Sequence, residues 1–319
     1  MNVEQRIYAD GIEEFIARCN AIMAGEYHRL PIPEQRALYE TLARSFNAPE
    51  PVGVRSREVA YEENGVTRRF RIYQKQGRRS DALVFYVRGG GFVLGSLDTH
   101  HVLMADICAA TALDVVAADF RLAPEAPFPA AIEDCESVLR HVRAHALSLG
   151  VAHDTLLICG DSSGGNMAVV LCMRLRDAGD DAFAGQVLLN PVLDFSRWRG
   201  GGGDAPLLTA GEMEFYTACY APGDTVFHEH VSPLLSGCFA GLPKAYVMAA
   251  ELDSLRVDSV AYVERLMAEG IEAELVVEPG LVHGAVRARN ISEAARGAFE
   301  RACAGLTRFA DDRTRGTTA

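Results

Sequence analysis

A strand–turn–helix segment in the middle of the chain constrains the fold more than any other feature. An apolar run at 156–159 and a helix-like run at 167–175 flank the stretch Gly160-Asp161-Ser162-Ser163-Gly164-Gly165-Asn166. This stretch fits the G-x-S-x-G pattern, in which a serine sits on a tight, strained elbow. Gly160 and Gly164 remove Cβ atoms that would clash there, and Gly165 lets the helix pack close to the strand. The pattern predicts that Ser162 lies at the positive end of a helix, where negative charge is stabilised.

Length and charge exclude several classes of protein. A chain of 319 residues suits one large α/β domain, or such a domain with a small cap. Acidic residues outnumber basic ones by 43 to 31, whereas nucleic-acid binders usually carry a basic face. The same charge argues against adhesion to anionic membranes, and no apolar run is long enough to span a bilayer. The scattered cysteines and a polar N-terminus unlike a signal peptide predict a cytoplasmic protein with reduced thiols.

Strand-like and helix-like segments alternate along most of the chain. A hairpin is predicted at the turn Asn64-Gly65, and a fully apolar strand at Ala82–Val87. Apolar runs of strand length then alternate with amphipathic runs of helix length up to about residue 308. This alternation predicts an α/β fold in which helices flank a mostly parallel central sheet. The leading hairpin indicates an antiparallel edge.

Two segments break the alternation and predict a helical cap. Residues 1–48 form helices without a catalytic pattern, and residues 191–241 contain no strand but an aromatic-rich helix with Phe215, Tyr216 and Tyr220. We expect both segments to cover a catalytic domain made of residues 49–190 and 242–310. The polar residues 311–319 are expected to form a disordered tail.

One histidine and one aspartate downstream of Ser162 occupy positions that suit its catalytic partners. A serine nucleophile needs a base to take its proton and an acid to orient that base, and in this type of sheet the chain order is serine, acid, histidine. His283 follows a strand and a proline–glycine turn, and Asp253 follows the strand at 245–249. Asp258 is the alternative acid, but it lies where the next helix has begun, and an aspartate there is usually a first-turn or capping residue.

A glycine-rich loop offers donors for an oxyanion. Arg88 precedes three glycines that directly follow the third predicted strand, the place expected for such a loop. Backbone N–H groups aimed at the oxyanion are usually the largest electrostatic aid to acyl transfer. We predict that an oxyanion hole is formed by the amides of Gly89, Gly90, Gly91 and Ser163. The alternative is that the three glycines form no more than a flexible turn.

Histidine pairs elsewhere raise the alternative of metal sites. His228 and His230 lie in the insertion, where no third ligand stands out. His100 and His101 open a helix, and we interpret them as polar residues at a helix start. Asp161 lies beside the nucleophile in the turn and is interpreted as a structural hydrogen-bonding residue. We therefore predict no metal site.

Four motifs together carry a family resemblance. The elbow looks like G-D-S-A-G-G-N with serine in place of alanine, and residues 120–131 look like Y-R-L-A-P-E-x-x-F-P-A-A. Residues 253–256 look like D-P-L-R without the proline, and residues 88–92 look like H-G-G-G-F with Arg88 in place of histidine. Over about residues 55–305, the chain resembles the hormone-sensitive-lipase-like branch of the α/β-hydrolases, the bacterial family IV esterases.

The resemblance implies an α/β-hydrolase fold with a helical cap, no cofactor, and hydrolysis of short-to-medium acyl esters through an acyl-enzyme intermediate. Ser162 would be the nucleophile, His283 the base and Asp253 the acid. Arg88 would anchor the glycine loop, and its charge should then be met by a carboxylate or several carbonyls. The expected partners are a small-molecule ester and, because the family often forms dimers, a second copy of the chain.

Two alternatives stay open at the level of sequence. The same three side chains could hydrolyse amides or formamides. The scaffold could also serve a ligand-binding protein without turnover, although such proteins resembling this family have lost the histidine that this chain retains as His283.

Overall fold

One sheet runs through the molecule and confirms the predicted α/β architecture. The computed structural model describes the backbone of residues 7–316 and the side chains of residues 7–312. Its strands are β1 (Val54–Glu63), β2 (Val66–Lys75), β3 (Ala82–Val87), β4 (Asp114–Ala118), β5 (Thr155–Asp161), β6 (Phe183–Leu189), β7 (Ala245–Ala250) and β8 (Ala273–Glu278). The strand order is β1-β2-β4-β3-β5-β6-β7-β8. The pairs β1–β2 and β2–β4 are antiparallel and the others are parallel, so the antiparallel edge predicted from the hairpin is present.

Helices cover both faces of this sheet. They are α1 (Ile12–Ile22), α2 (Ile32–Ser45), α3 (His101–Thr111), α4 (Ala130–Leu149), α5 (Ser163–Asp177), α6 (Ala210–Tyr220), α7 (Arg256–Ala268) and α8 (Glu293–Gly316). Successive residues of a strand point to opposite faces. In β6, Gly185 lies against Phe309 of α8, whereas the Gln186 side chain accepts a 3.0 Å hydrogen bond from Tyr262 of α7. The helices α7 and α8 therefore pack on opposite faces. Within the described part of the chain, no helix has both the length and the apolar character needed to cross a bilayer.

One end of the chain differs from the sequence prediction. Helices were expected within residues 1–48, and the first helix of the described residues begins at Ile12, while residues 1–6 lie outside them. The expected disordered tail at 311–319 is wrong for residues 311–316, which continue α8, while 317–319 lie outside the described residues. The physical reason is a pair of long-range ion pairs. Asp311 lies 2.7 Å from Arg79, and Asp312 pairs with Lys244, so polar residues at the end of α8 are tied to the domain.

The two segments predicted to form a cap contact each other. A short 3-10 turn between α1 and α2 carries Tyr27, and its hydroxyl lies 2.8 Å from the hydroxyl of Tyr216 on α6. The insertion that contains α6 has 3-10 turns and no named strand among the described residues, as the sequence predicted. The α2 helix also reaches the domain below, because Arg36 forms a double hydrogen bond with Glu125, at 2.8 and 2.7 Å.

A buried carboxylate fixes the segment at residues 120–131. Asp134 is 2% exposed at its side chain. It accepts hydrogen bonds from the backbone and the guanidinium of Arg121, at 2.8 and 2.7 Å, and pairs with Arg68 at 2.9 Å. Two arginines on different segments therefore share one acid.

Asp134→Ala should lower the free energy of unfolding by about 3–5 kcal/mol, because it leaves buried positive charge without a partner. The adjacent Glu133→Ala is the control: its side chain is 52% exposed. The control should cost less than about 1 kcal/mol. Urea denaturation of both variants measures the difference. Equal midpoints would show that Asp134 does not hold this segment.

Candidate active site

Ser162 sits on a strained turn between β5 and α5. Its φ of 53° and ψ of −120° lie in a region that non-glycine residues rarely adopt. A Cβ atom at Gly160 would lie 2.4 Å from the carbonyl oxygen of Gly164, and one at Gly164 would lie 2.1 Å from that of Val87. Both glycines are therefore required by the close approach of backbone to backbone, for the reason given by the sequence. A Cβ atom at Gly165 would lie 2.8 Å from the Cβ atom of Pro191, which follows β6.

The structure brings together the three residues chosen as nucleophile, base and acid. The Nε2 atom of His283 lies 3.0 Å from Ser162 Oγ, and its Nδ1 atom lies 2.7 Å from Asp253 Oδ2. Asp253 has no exposed side-chain surface, and its other oxygen accepts a 2.9 Å hydrogen bond from the Leu255 amide. Because the carboxylate can only accept, Nδ1 of His283 carries the proton. The Nε2 lone pair therefore faces the serine hydroxyl, which is the orientation that a general base needs.

The charge of Asp253 sets the electrostatics of this histidine. Burial alone would lower the pKa of His283, but the charge of Asp253 and its hydrogen bond outweigh burial, so the pKa lies above its ordinary value. The imidazolium that forms when His283 takes a proton is thus stabilised by a fixed carboxylate.

Asp258, the alternative acid, has a different role. Its Oδ2 atom accepts hydrogen bonds from the amides of Leu193 and Asp194, at 2.7 and 3.1 Å, and its Oδ1 atom lies 2.7 Å from Arg197. Burial raises the pKa of Asp258 to about 7, and Arg197 opposes that shift. Asp258 therefore holds the first residues of the insertion against α7, while His283 is paired with Asp253.

The glycine loop supplies fewer free amides than the sequence predicted. The Gly89 amide donates a 2.9 Å hydrogen bond to Asp161 Oδ1, so the prediction of Gly89 as an oxyanion donor is wrong. Gly90 and Gly91 line the same cavity as Ser162 and Ser163. Among the described residues, no hydrogen bond uses the amides of Gly90, Gly91 or Ser163. Those amides remain available to a ligand next to the serine hydroxyl.

Arg88 is buried beneath this loop, with 2% of its surface exposed. Its Nη1 atom donates a 2.9 Å hydrogen bond to the carbonyl of Leu94, and its Nη2 atom lies 3.7 Å from Asp119 Oδ1. The guanidinium also lies over the ring of Phe120, 4.2 Å from its centroid. Burial lowers the pKa of Arg88, and the charge of Asp119 opposes that shift. The carboxylate and carbonyl expected around this charge are both present.

Helices α1, α2 and α6 close over Ser162 and leave a cavity of about 190 Å³. The ring of Tyr216 lines the cavity and packs against Gly91, since a Cβ atom at Gly91 would lie 2.7 Å from that ring. Much of the remaining wall is apolar, with Phe15, Met23, Leu42, Phe195, Leu208 and Met213. The cavity is therefore small, largely apolar and open to the serine.

Sequence reasoning missed a buried polar network behind the serine. Tyr86 donates a 2.7 Å hydrogen bond to Asp161 Oδ1, and His100 Nε2 lies 3.4 Å from Asp161 Oδ2. Arg287 Nη2 lies 3.0 Å from the same His100 nitrogen. The interpretation of Asp161 as a structural residue agrees with these contacts. The pattern at His100 indicated only a helix start, and no signal indicated Arg287.

The metal alternative at the insertion finds no support. The backbone amide of His230 donates to His228 Nδ1 at 3.0 Å, which occupies one of the ring nitrogens. Within residues 7–312, no group of three or more His, Cys, Asp or Glu side chains is placed to hold a metal ion.

Known proteins are similar to this chain in sequence and in fold. A family model described as the alpha/beta hydrolase fold matches residues 84–287. The carboxylesterase NlhH of Mycobacterium tuberculosis is 38% identical over 238 residues, which cover 71% of this chain and 73% of that protein. An ethyl acetate hydrolase of Pseudomonas putida is 31% identical over 278 residues, covering 84% and 87%.

Two solved structures extend the comparison to nearly the whole chain. A hyperthermophilic esterase from Pyrobaculum calidifontis has a TM-score of 0.88 and 29% identity, covering 95% of this chain and 99% of that one. An esterase from the bacterial hormone-sensitive lipase family has a TM-score of 0.82 and 27% identity, covering 94% and 98%.

Exchanging each acid for its amide should separate the roles of Asp253 and Asp258. Asp253→Asn should lower kcat on an aryl acetate by about 10⁴-fold, because the amide no longer holds the histidine tautomer or stabilises its positive charge. Asp258→Asn should retain most of kcat and lower the melting temperature instead. Steady-state kinetics and thermal denaturation of both variants are the measurements. The reverse ranking in kcat would reassign the acid.

Proposed function

Because the chain belongs to the α/β-hydrolase family and is a carboxylic ester hydrolase of its hormone-sensitive-lipase-like branch, we propose that it cleaves short acyl esters through an acyl-enzyme on Ser162. The observation that carries this proposal is the unbroken hydrogen-bonded series Asp253–His283–Ser162, which ends in a small cavity beside unused amides.

The reaction would proceed in two steps. In the first step, Ser162 Oγ attacks the ester carbonyl while His283 Nε2 accepts the hydroxyl proton and then passes it to the leaving alcohol. In the second, a water molecule gives its proton to His283 and attacks the acyl-enzyme, and His283 returns that proton to Ser162 Oγ as the carboxylic acid leaves. Asp253 stays ionised and stabilises the imidazolium in both steps. The amides of Gly90, Gly91 and Ser163 would hold the oxyanion that develops in each.

The cavity supports a preference for short acyl chains. Its volume of about 190 Å³ lies below the ~300–1,000 Å³ typical of sites for drug-sized ligands. Tyr216 packs against Gly91 and narrows the cavity there. Phe215 is not among the lining residues and packs against His28, with ring centroids 6.1 Å apart. The relative named for ethyl acetate hydrolysis agrees with this size.

A panel of p-nitrophenyl esters of increasing acyl length tests the proposal. We expect kcat/KM to be highest for acetate to butyrate and to fall with longer chains, because these cannot fit beneath Tyr216. Ser162→Ala should lose roughly 10⁶-fold in kcat while keeping its melting temperature. A variant that keeps more than a small fraction of activity, or a wild type most active on emulsified long-chain triglycerides, would contradict the proposal.

We also propose that Arg88 anchors the glycine loop. The support is its hydrogen bond to the carbonyl of Leu94, whose own amide donates back to Gly90 at 2.8 Å. Arg88→Ala should lower kcat by up to about 100-fold, the cost of a small misplacement of reacting groups. Arg88→His should be tolerated, since histidine can still donate to a carbonyl. Turnover measured for both variants on p-nitrophenyl acetate decides the role. A large gain in Arg88→His would instead show that arginine distorts the loop.

Two further predictions concern assembly and location. The predictions of a homodimer and of a cytoplasmic protein stay predictions. The alternative of a ligand-binding protein without turnover is disfavoured, because relatives with ester-hydrolase names cover most of the chain.

A further inference from the structure

We propose that Arg287 is a positioning residue for this reaction, holding the loop of His283, the start of α3 and the cap helix α2 in one arrangement. The inference rests on the proposed function, since it concerns how the reacting groups are aligned. Arg287 follows His283 by four positions, within the 3-10 turn Ala285–Ala288, and both residues line the cavity.

One guanidinium contacts three residues on two other segments of the site. Its Nη1 atom donates to the carbonyl of Thr99 at 2.9 Å, and its Nη2 atom donates to the hydroxyl of Tyr39 on α2, also at 2.9 Å. The same Nη2 atom lies 3.0 Å from His100 Nε2 at the start of α3. The planar fork of an arginine can make such directed bonds simultaneously, whereas a lysine acts as a point charge.

The hydrogen bonds around His100 show which residue is the donor in the contact between Arg287 and His100. The hydroxyl of Thr99 donates to the carbonyl of Ser96 at 2.9 Å, so it accepts from His100 Nδ1, which is also 2.9 Å away. Burial lowers the pKa of His100 to about 4, so the ring is neutral near pH 7. The Nε2 atom therefore has a free lone pair, and Arg287 donates to it.

The network then reaches the nucleophile turn and the glycine loop. Asp161, which precedes Ser162, lies 3.4 Å from His100 Nε2 and accepts from the Gly89 amide. Burial alone would raise the pKa of Asp161, whereas the hydrogen bond from Tyr86 and the positive charge of Arg287 lower it. The charge of Arg287 therefore acts on a carboxylate that lies in the nucleophile turn and accepts from the loop after β3. A shift of about 1 Å in such a site can cost about 100-fold in rate.

Arg289 offers a matched control in the same segment. It is 6% exposed, donates to Asp106 from Nε at 2.8 Å, and lies over Phe299 with 5.5 Å to the ring centroid. None of these three residues is among those that line the cavity. Arg287 is partly buried and bonded to neutral groups, whereas Arg289 is buried and paired with Asp106. Both arginines are hydrogen-bonded within the same segment, and only the contacts of Arg287 reach the active site.

The pH dependence supplies a readout that a purely structural role would not change. The pKa of His283 is lowered by burial and raised by the carboxylates that face it, namely Asp253, Asp161 and Glu212. His283 acts as a base only when neutral, so activity should fall as the pH drops through the pKa of His283. Because that pKa is raised, the fall should occur above the ordinary value of about 6.5. Arg287 opposes the effect of Asp161. Removing its charge should raise the pKa of His283 further and move this acid limb to higher pH.

The experiment compares Arg287→Gln, Arg287→Lys, Tyr39→Phe and Arg289→Gln on p-nitrophenyl acetate. We expect Arg287→Gln to lower kcat by about 10–100-fold with a smaller change in KM, and to move the acid limb of kcat/KM upward. Arg287→Lys should keep the wild-type acid limb but recover kcat only in part. Tyr39→Phe should lose a few-fold in kcat, and Arg289→Gln should lower the melting temperature alone.

The inference is overturned if Arg287→Gln and Arg289→Gln behave alike, with kcat and acid limb both at wild-type values. If Arg287→Gln does not fold, Arg287→Lys and Tyr39→Phe carry the test: wild-type kcat in both also overturns it. Failure of the proposed function would look different. In that case the wild-type enzyme itself would not hydrolyse the short esters of the panel, whatever the arginine variants do.

Discussion

Backbone strain at Ser162 is the constraint on which the rest of the site depends. A non-glycine residue held at a φ of 53° costs about 1–3 kcal/mol, and it persists only where the surroundings fix it. Here β5 is paired on both sides, by β3 and β6, and α5 packs against β3, β5 and β6. Gly164 lies so close to the end of β3 that the glycine loop must begin beside the serine. The same contact that holds the strained turn therefore brings the candidate oxyanion donors to it.

Buried charges around this turn are each given a partner. Removing one partner from such a pair is costly, because it leaves an uncompensated charge in a poorly solvated place. The pairs tie together segments that are distant in sequence: Arg88 with Asp119, Asp258 with Arg197, and Asp134 with Arg68 and Arg121. Loops that carry the reacting groups are thus held by directed polar contacts, while the sheet supplies the apolar packing below them.

A feature could be predicted from the sequence when its cause lies in residues close to it along the chain. The elbow, His283 and Asp253 follow from chemistry that demands given residue types at given places along the chain. Gln186 is polar and yet buried inside β6, because its amide donates to the carbonyl of Pro243 and its oxygen accepts from Tyr262. The loss of Gly89 as a donor, the helical end of α8 and the contacts of Arg287 all arise from side chains distant in sequence. Such partners have no signature in a single sequence.

The contact of Tyr216 with Gly91 links two parts of the site. The ring rests on the glycine loop, and its hydroxyl is joined to Tyr27 of the opposite cap segment. One side chain therefore joins the two segments that line the cavity from different parts of the chain to the loop that carries Gly91. A change in the position of α6 would alter the packing on this loop and the contact between the two segments together. The size of the cavity and the position of the Gly91 amide are thus set by the same ring.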